Sequence, residues 1–185
     1  MKPVIIMIGG KARNGKSEIA DTMLRQAQED DKKGIIIGLA DYLKWVCNHY
    51  IGVPIEGHSE DQRWAWQTFG TDMVKACDPS HWVRETEFMI RKTNECEGYD
   101  YVFIPDFRFP DEAEYFEQYA YTVYTIYAER IDNPDSLQGS EAEHSSENSL
   151  ENYTFDFQVV AKTLKELRKQ ACEIYKEIAN ENPQG

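Results

Sequence analysis

The stretch Val4–Ser17, VIIMIGGKARNGKS, decides the fold of this chain of 185 residues. It begins as a short apolar run without charge, breaks at two glycines and closes with the letters GKS. From Gly10 to Ser17 the spacing is G-x-x-x-x-G-K-S, the pattern of a phosphate-binding loop between a strand and a helix. Apolar residues at helical spacing follow the loop, at Ile19, Ala20, Met23, Leu24 and Ala27. This context favours a nucleoside triphosphate site over the alternative, an ordinary glycine-rich turn with a surface lysine.

The residue types of the loop fit that chemistry. Its glycines allow a turn that a Cβ would obstruct, so that backbone N–H groups face inward and cradle phosphate oxygens. We expect Lys16 to reach the β- and γ-phosphates of the nucleoside triphosphate, and the Ser17 hydroxyl to hold Mg²⁺ at the start of the next helix. The residues predicted to bind this cofactor are Gly10, Arg13, Asn14, Gly15, Lys16 and Ser17.

Length and charge limit the class of protein. The length fits one domain spanning 1–185, and no apolar stretch is long enough for a membrane span or a secretory signal. Four widely spaced cysteines favour reduced thiols and a cytoplasmic setting. The net charge is −13, and all of the acidic excess follows residue 92, so we expect no general binding to nucleic acid.

Strand-like and helix-like segments alternate along the chain, which predicts an α/β fold. We expect a three-layer architecture, in which a parallel sheet of about five strands has helices on both faces and carries a small lid segment. The predicted strands are Val4–Ile8, Ile35–Leu39, Tyr101–Ile104, Thr122–Tyr127 and Phe157–Val160.

Polar residues follow these strands, at the sheet edge where ligands of such folds bind. Asp41 and Lys44 come after the second strand, where Asp41 either caps a helix or also contacts the ligand. After the third strand, Asp106 is a candidate Mg²⁺ ligand and Arg108 a candidate phosphate contact, while Glu112 begins the next helix.

The segment 42–92 is predicted to be a helical region that binds a monophosphate group. Arg63 and Gln67 are four residues apart and share a helical face. We interpret Gly70-Thr71 as a helix end and expect Arg84 to face phosphate. The aromatic residues nearby are interpreted as core rather than as base-stacking groups, namely Trp64, Trp66 and Phe69.

The acidic stretch at 129–152 is either a lid or a disordered surface loop. Arg130 at its root could stabilise the charge of the transferring phosphoryl group. His144 and Glu147 stand near its far end. Beyond it, Thr163 and Glu166 have the spacing of a helix capping box.

The sequence resembles the phage-type deoxynucleoside monophosphate kinases, within the adenylate-kinase-like group of P-loop kinases. The resemblance runs in order through most of the chain, and DFRFPDEAE with a later HSSE is more specific than the loop itself. The segments that carry it are Gly9–Ser17, Leu39–Lys44, Arg63–Thr71, Asp106–Glu114, Glu129–Arg130, His144–Glu147 and Val159–Leu167.

This resemblance implies transfer of the ATP γ-phosphoryl group to a deoxynucleoside 5′-monophosphate. The implied catalytic residues are Lys16, Asp106, Arg108 and Arg130, with Ser17 and Asp106 at the metal. The implied substrate-binding residues are Asp41, Lys44, Arg63, Gln67, Arg84, Arg108 and Glu112. Lys162 would lie beside adenine, although family members often carry Asn-Asp-Gly-like residues there, which leaves the phosphate donor open. The resemblance implies that the protein works in the cytoplasm, or in the cytoplasm of the host if a phage encodes it. The number of subunits stays open, and a homodimer is one possibility.

A phosphate acceptor is already ionised near neutral pH, so this chemistry needs cations and exclusion of water rather than a strong general base. Three alternatives stay open. The chain could phosphorylate another small molecule, such as a nucleoside or dephospho-coenzyme A. It could phosphorylate a modified base in DNA, or it could bind nucleotide without turnover.

Overall fold

The computed structural model of the chain describes residues 1–57, 59–131 and 149–183. Five parallel strands form one sheet. They are β1 (Val4–Gly9), β2 (Gly34–Ile36), β3 (Tyr101–Phe107), β4 (Val123–Arg130) and β5 (Phe157–Ala161). The order across the sheet is β2-β3-β1-β4-β5, so β1, which leads into the glycine-rich loop, lies at the centre.

Helices connect the strands and fill the region between β2 and β3. The α-helices are α1 (Lys16–Glu29), α2 (Asp41–Val46), α3 (Glu60–Gln67), α4 (His81–Glu97), α5 (Pro110–Gln118) and α6 (Leu164–Glu181). Two wider, π-type helical segments continue α2 and α3; we name them π1 (Cys47–Ile51) and π2 (Thr68–Lys75).

The alternation of side chains along β1 divides the core into two layers. Val4, Ile6 and Ile8 pack with buried residues of α1 and α6 on one face of the sheet. Ile5 and Met7 pack on the opposite face with buried residues of α4 and α5. All six residues of β1 are buried, as a central strand covered on both faces requires. The predicted three-layer α/β architecture, with helices on both faces of a parallel sheet, is therefore confirmed.

The ends of β2 and β3 each differ from the prediction by three residues. Regular pairing of β2 ends at Ile36. The Ile37 N–H still donates to the Phe103 carbonyl, and the N–H groups of Gly38, Leu39 and Ala40 then donate to carboxylates instead of a neighbouring strand. Strand β3 continues past Ile104 to Phe107, which pairs with Gly9 across a bulge. Asp106 therefore lies within the end of β3 and not after it.

Two further boundaries differ from the sequence prediction. Strand β4 extends to Arg130, because its last residues pair with β5 as far as Ala161. Gly70 does not end a helix but lies inside π2, where it packs closely against Leu43. A Cβ on Gly70 would stand 2.4 Å from Leu43 Cδ2, so this glycine serves close helix packing rather than termination. The predicted capping box of Thr163 and Glu166 at the start of α6 is confirmed.

Most of the predicted lid, including His144 and Glu147, lies outside the described residues. Its first two residues belong to β4. The segment 42–92 is mainly helical, and its role as the acceptor-binding region stays a prediction. Within the described ranges, no helix is both long and apolar enough to cross a membrane.

Candidate active site

The loop between β1 and α1 is held in an unusual backbone conformation. Gly10 and Gly15 have φ of 121° and 85°, and Arg13 has φ of 64°, a value that non-glycine residues rarely adopt. The Lys16 ammonium group closes the loop by donating to the carbonyl oxygens of Gly10 and Lys11, each at 2.7 Å. Backbone strain that is held in place in this way is typical of functional loops.

The loop also lies tightly against β4. A Cβ on Gly10 would stand 2.3 Å from the carbonyl oxygen of Ala128. The same carbonyl accepts a hydrogen bond from Asn14 Nδ2 at 3.4 Å. Two of the predicted loop residues therefore fix the loop on the sheet rather than forming the wall of a cavity.

A cavity of about 560 Å³ opens beside the loop, a volume within the usual range of small-molecule sites. The elements that line it are the loop, the ends of β2 and β3, and the helices between them. Nine of the predicted site residues lie in its wall: Arg13, Lys16, Ser17, Lys44, Arg63, Gln67, Asp106, Arg108 and Glu112.

Asp106 organises the corner where β2 and β3 end. Its two carboxylate oxygens accept the N–H groups of Leu39 and Ala40 at 2.8 and 2.9 Å. Asp41 does not cap its own helix, because its carboxylate turns back to accept the Gly38 N–H at 2.7 Å. Burial raises the pKa of Asp41, and the nearby Asp106 carboxylate raises it further.

This corner fits a hard cation. Ser17 and Asp106 line the same cavity, and each Asp106 oxygen keeps a lone pair after accepting one N–H group. The described residues hold no cluster of three or more His, Cys, Asp or Glu side chains that could bind a metal by themselves. Mg²⁺ commonly uses one or two protein ligands together with phosphate oxygens and water, and this donor set is compatible with that mode.

The cations of the cavity wall come from three different elements. Lys44 of α2 lies 5.6 Å from the centre of the Trp66 ring and 4.0 Å from Asp41. Arg63 of α3 has a buried Nε that finds no hydrogen-bond partner in the part of the chain that the structure describes. An unpaired buried guanidinium N–H is unfavourable, so Arg63 is suited to receive an anionic ligand.

Glu112 and Lys75 form a further charged pair in the wall. Glu112 is 7% exposed, and its Oε2 accepts the N–H groups of Arg108 and Phe109 at 2.9 and 3.0 Å. Lys75 Nζ lies 3.3 Å from the other oxygen of Glu112 and 3.2 Å from Asp111. Burial raises the pKa of Glu112 to about 7, while Lys75 and the two N–H groups oppose that rise.

The other predicted residues lie elsewhere. Arg84 does not face the cavity, because it pairs with Asp78 at 2.7 Å on the exposed side of α4. Arg130 lies against the loop, with its Cδ 3.8 Å from where a Cβ on Gly15 would stand. Lys162 is exposed beyond β5, and its backbone N–H donates to Glu166.

Several wall residues were missed by sequence reasoning. Lys75 gave no signal, since a single lysine on a helix is usually a solvated surface residue. Trp66 was expected in the core and is buried, but it also lines the cavity, whereas Trp64 is 69% exposed and not core at all. Trp82 lines the cavity as well, and its Nε1 donates to the Gly70 carbonyl at 2.9 Å. The helical spacing of the aromatic residues could not distinguish a core face from a cavity face.

No family model and no curated protein matches this sequence. Among solved structures, the chain is similar to the APS kinase CysC of Mycobacterium tuberculosis in a cysteine-to-alanine mutant form. That match has a TM-score of 0.52 and 10% identity over 96% of this chain and 97% of the other. The same enzyme in complex with AMPPNP and APS matches with a TM-score of 0.54 and 10% identity, over 96% and 98% of the two chains. At this identity the likeness concerns the fold, and the chain has the P-loop kinase fold.

Proposed function

We propose that this protein transfers the γ-phosphoryl group of ATP to a deoxynucleoside 5′-monophosphate. The observation that carries the proposal is one cavity that joins the loop lysine, Lys16, to Lys44, Arg63 and Arg108. The loop supplies one of these cations and other elements supply three, which suits two phosphate groups, one on the donor and one on the acceptor. The buried, unpaired Nε of Arg63 supports an acceptor that already carries negative charge.

The cavity also has surfaces that suit a nucleobase. The rings of Trp66, Trp82 and Phe109 line it, and the Gln67 amide can donate and accept hydrogen bonds. Flat aromatic groups with a few polar side chains are typical of base-binding pockets. The sequence resemblance to the phage-type kinases and the P-loop kinase fold support the same class of substrate.

The residues of this chain would act by charge and position. In this proposal Lys16 and the N–H groups of the loop bind the donor phosphates, and Arg130 lies beside the loop to neutralise charge. Ser17 and Asp106 would hold Mg²⁺, which supplies charge neutralisation when bound. Lys44, Arg63 and Arg108 orient the acceptor phosphate, whose own oxygen is the nucleophile at neutral pH.

A coupled ADP-release assay tests the proposal. ATP and Mg²⁺ are supplied with each deoxynucleoside monophosphate in turn, including 5-modified ones. A nucleoside, dephospho-coenzyme A and APS serve as competing acceptors, because the structural neighbour binds APS. We expect ADP release only with a monophosphate acceptor, and a loss of about 100-fold or more in Lys16→Ala, as for removal of one key charge donor. Turnover with a competing acceptor alone, or full activity of Lys16→Ala in a folded protein, contradicts the proposal.

Gln67 is the candidate for base selection. If it contacts the base, Gln67→Ala changes the ratio of kcat/KM values among dGMP, dTMP and dCMP. Gln62→Ala is unsuitable as a control, because Gln62 caps α3. Gln26→Ala on the exposed side of α1 is a suitable one and should leave the ratio unchanged. An unchanged ratio in Gln67→Ala rules out this role.

A further inference from the structure

Lys75 and Glu112 connect two parts of the cavity wall that are far apart in sequence. Lys75 ends π2, which continues α3 and so belongs to the same helical segment as Arg63 and Gln67. Glu112 lies in the first turn of α5, just after the turn that carries Arg108. Their ion pair at 3.3 Å therefore links the segment of Arg63 to the turn of Arg108.

Glu112 holds the backbone of that turn directly. Its Oε2 accepts both consecutive N–H groups, those of Arg108 and Phe109. Hydrogen bonds to an ionised carboxylate are stronger than those to a neutral acceptor. The ionised form of Glu112 therefore holds the two N–H groups more strongly than the neutral acid would. The backbone position of Arg108 in turn sets where its guanidinium group can reach in the cavity.

Lys75 is held so that its charge acts on Glu112. The Lys75 side chain is only 14% exposed, and its ammonium group lies 3.8 Å from the centre of the Phe109 ring. Two carboxylates, Asp111 and Glu112, surround it on the other side. Water cannot readily replace the partners of so enclosed an ammonium group. The electrostatic interaction of Lys75 with Glu112 is therefore weakly screened.

The remaining charges near Glu112 do not replace Lys75. Asp106 of β3 is an acid and opposes ionisation of Glu112, while Asp111 on the same helix faces Lys75. Helix α4, which packs on α5, presents Glu87, and this acid accepts a hydrogen bond from Tyr121 at 3.0 Å. Burial raises the pKa of Glu112 to about 7, and Lys75 opposes this rise most, followed by the N–H groups of Arg108 and Phe109. Lys75 therefore favours the ionised form of Glu112 near neutral pH.

We propose that Lys75 and Glu112 are positioning residues for the acceptor phosphate: Lys75 favours the ionised form of Glu112, and Glu112 holds the turn that carries Arg108 in the same cavity wall as Arg63. This inference rests on the proposed function, because it assigns Arg108 and Arg63 to the acceptor. In this inference the pair acts through the position of Arg108 and not on the reacting atoms. Their effect appears in the binding of the acceptor and in its pH dependence.

The first test measures KM values and pH profiles of wild type, Lys75→Met, Lys75→Arg and Glu112→Gln. At neutral pH we expect Lys75→Met to raise KM for the acceptor about tenfold, the effect of weakening one charge-assisted hydrogen-bond group, with KM for ATP unchanged. Lys75→Arg should restore most of the affinity. Alkaline pH should partly rescue Lys75→Met, because Glu112 then ionises without help, and should not rescue Glu112→Gln.

A matched control is Lys92→Met, which removes an exposed lysine paired with Glu95 at 2.9 Å on α4. It should leave both KM values and the pH profile as in wild type. If Lys75→Met behaves like Lys92→Met, or if alkaline pH rescues Lys75→Met and Glu112→Gln alike, the positioning role is wrong.

A second measurement needs no substrate and separates this inference from the proposed function. The backbone amide NMR shifts of Arg108 and Phe109 are titrated with pH in the free protein. Both should titrate together with a midpoint near the Glu112 pKa of about 7. The midpoint should move upward in Lys75→Met and vanish in Glu112→Gln. Absence of a common titration overturns the inference whatever the activity. This titration in a protein without kinase activity overturns the proposed function and the acceptor role with it, and leaves only the contact of Glu112 with the Arg108 turn.

Discussion

Gly10 shows how much of the loop depends on one residue. Its φ of 121° is open to glycine, and a Cβ there would stand 2.3 Å from the backbone oxygen of Ala128. Because the obstacle is backbone of the central sheet, it cannot move aside as a side chain could. We expect Gly10→Ala to lower the free energy of unfolding by about 2 kcal/mol or more and to displace the loop.

Gly52→Ala is the matched control for this prediction. Gly52 also has positive φ, at 77°, but a Cβ there would meet nothing within 4 Å. It should therefore lose only about 1 kcal/mol, the cost of a left-handed backbone for alanine. Urea denaturation of both variants measures the difference. Equal losses would show that the contact with Ala128 does not matter.

For single residues, the sequence predicted which loop residues reach the cavity better than it predicted where helical side chains point. The GKS end of the loop identified Lys16 and Ser17, and both line the cavity. Arg84 could not be excluded from the sequence, since its partner Asp78 lies across a turn whose shape the sequence does not reveal. Lys75 could not be included, because its partners come from a helix 36 residues later in the chain.

Among the elements, β5 forms one edge of the sheet, and a side chain of α6 hydrogen-bonds to the backbone of its residue Val160. The Gln170 side chain of α6 accepts the Val160 N–H at 3.1 Å and donates to the Val160 carbonyl at 2.9 Å. These are the groups that an added strand would otherwise pair with. We expect Gln170→Ala to lose about 1 kcal/mol of stability and to aggregate faster on warming.

Light scattering during a slow temperature ramp checks this expectation. Gln158→Ala is a suitable control, because Gln158 is an exposed residue of the same strand. The two variants should differ in the onset of aggregation more than in stability. Aggregation of Gln170→Ala at the wild-type temperature would mean that the edge is protected by other means.

Helices and strands were predicted in type and order, and their ends were predicted less well. The apolar run of β1 and the capping box of α6 are local signals, and both elements appear where expected. The chain beyond β2 depends instead on Asp106, which accepts N–H groups 66 and 67 residues earlier, and the end of β3 depends on the pairing of Phe107 with Gly9. Gly70 looked like a helix end because its contact with Leu43 is also distant in sequence.

For the whole molecule, the acidic charge and the cation-lined cavity are separate features. Net charge is −13, but residues up to 92 are balanced, and these supply most of the cations in the cavity wall. Long-range repulsion therefore disfavours a nucleic acid polymer, while a small phosphorylated ligand meets a local cluster of cations. The overall charge could be inferred from composition. That these cations lie together in one cavity wall could be seen only in the folded structure.

Stability of the whole molecule should carry a pH dependence that originates at Glu112. Its pKa rises from 4.5 to about 7 on folding, so the folded state binds a proton more tightly than the unfolded state. The contribution of this group to stability is complete below pH 4.5 and is lost as pH rises through 7. Between about pH 5 and 8, wild type should lose about 2 kcal/mol relative to Glu112→Gln, which has no proton to release.

Urea denaturation at several pH values measures that difference, with Glu95→Gln as the control. Glu95 is an exposed acid whose pKa is lowered by its hydrogen bond with Lys92, so its removal should not reproduce the effect of Glu112→Gln. Burial raises the pKa of Asp41 as well, but this group is unchanged in both variants and cancels from the comparison. Parallel curves for wild type and Glu112→Gln would mean that Glu112 titrates as in the unfolded chain. We expect the free energy of unfolding of wild type to fall further below that of Glu112→Gln as pH rises. This result would show that the buried Glu112 carboxylate reduces stability, as expected of a residue that serves the site rather than the core.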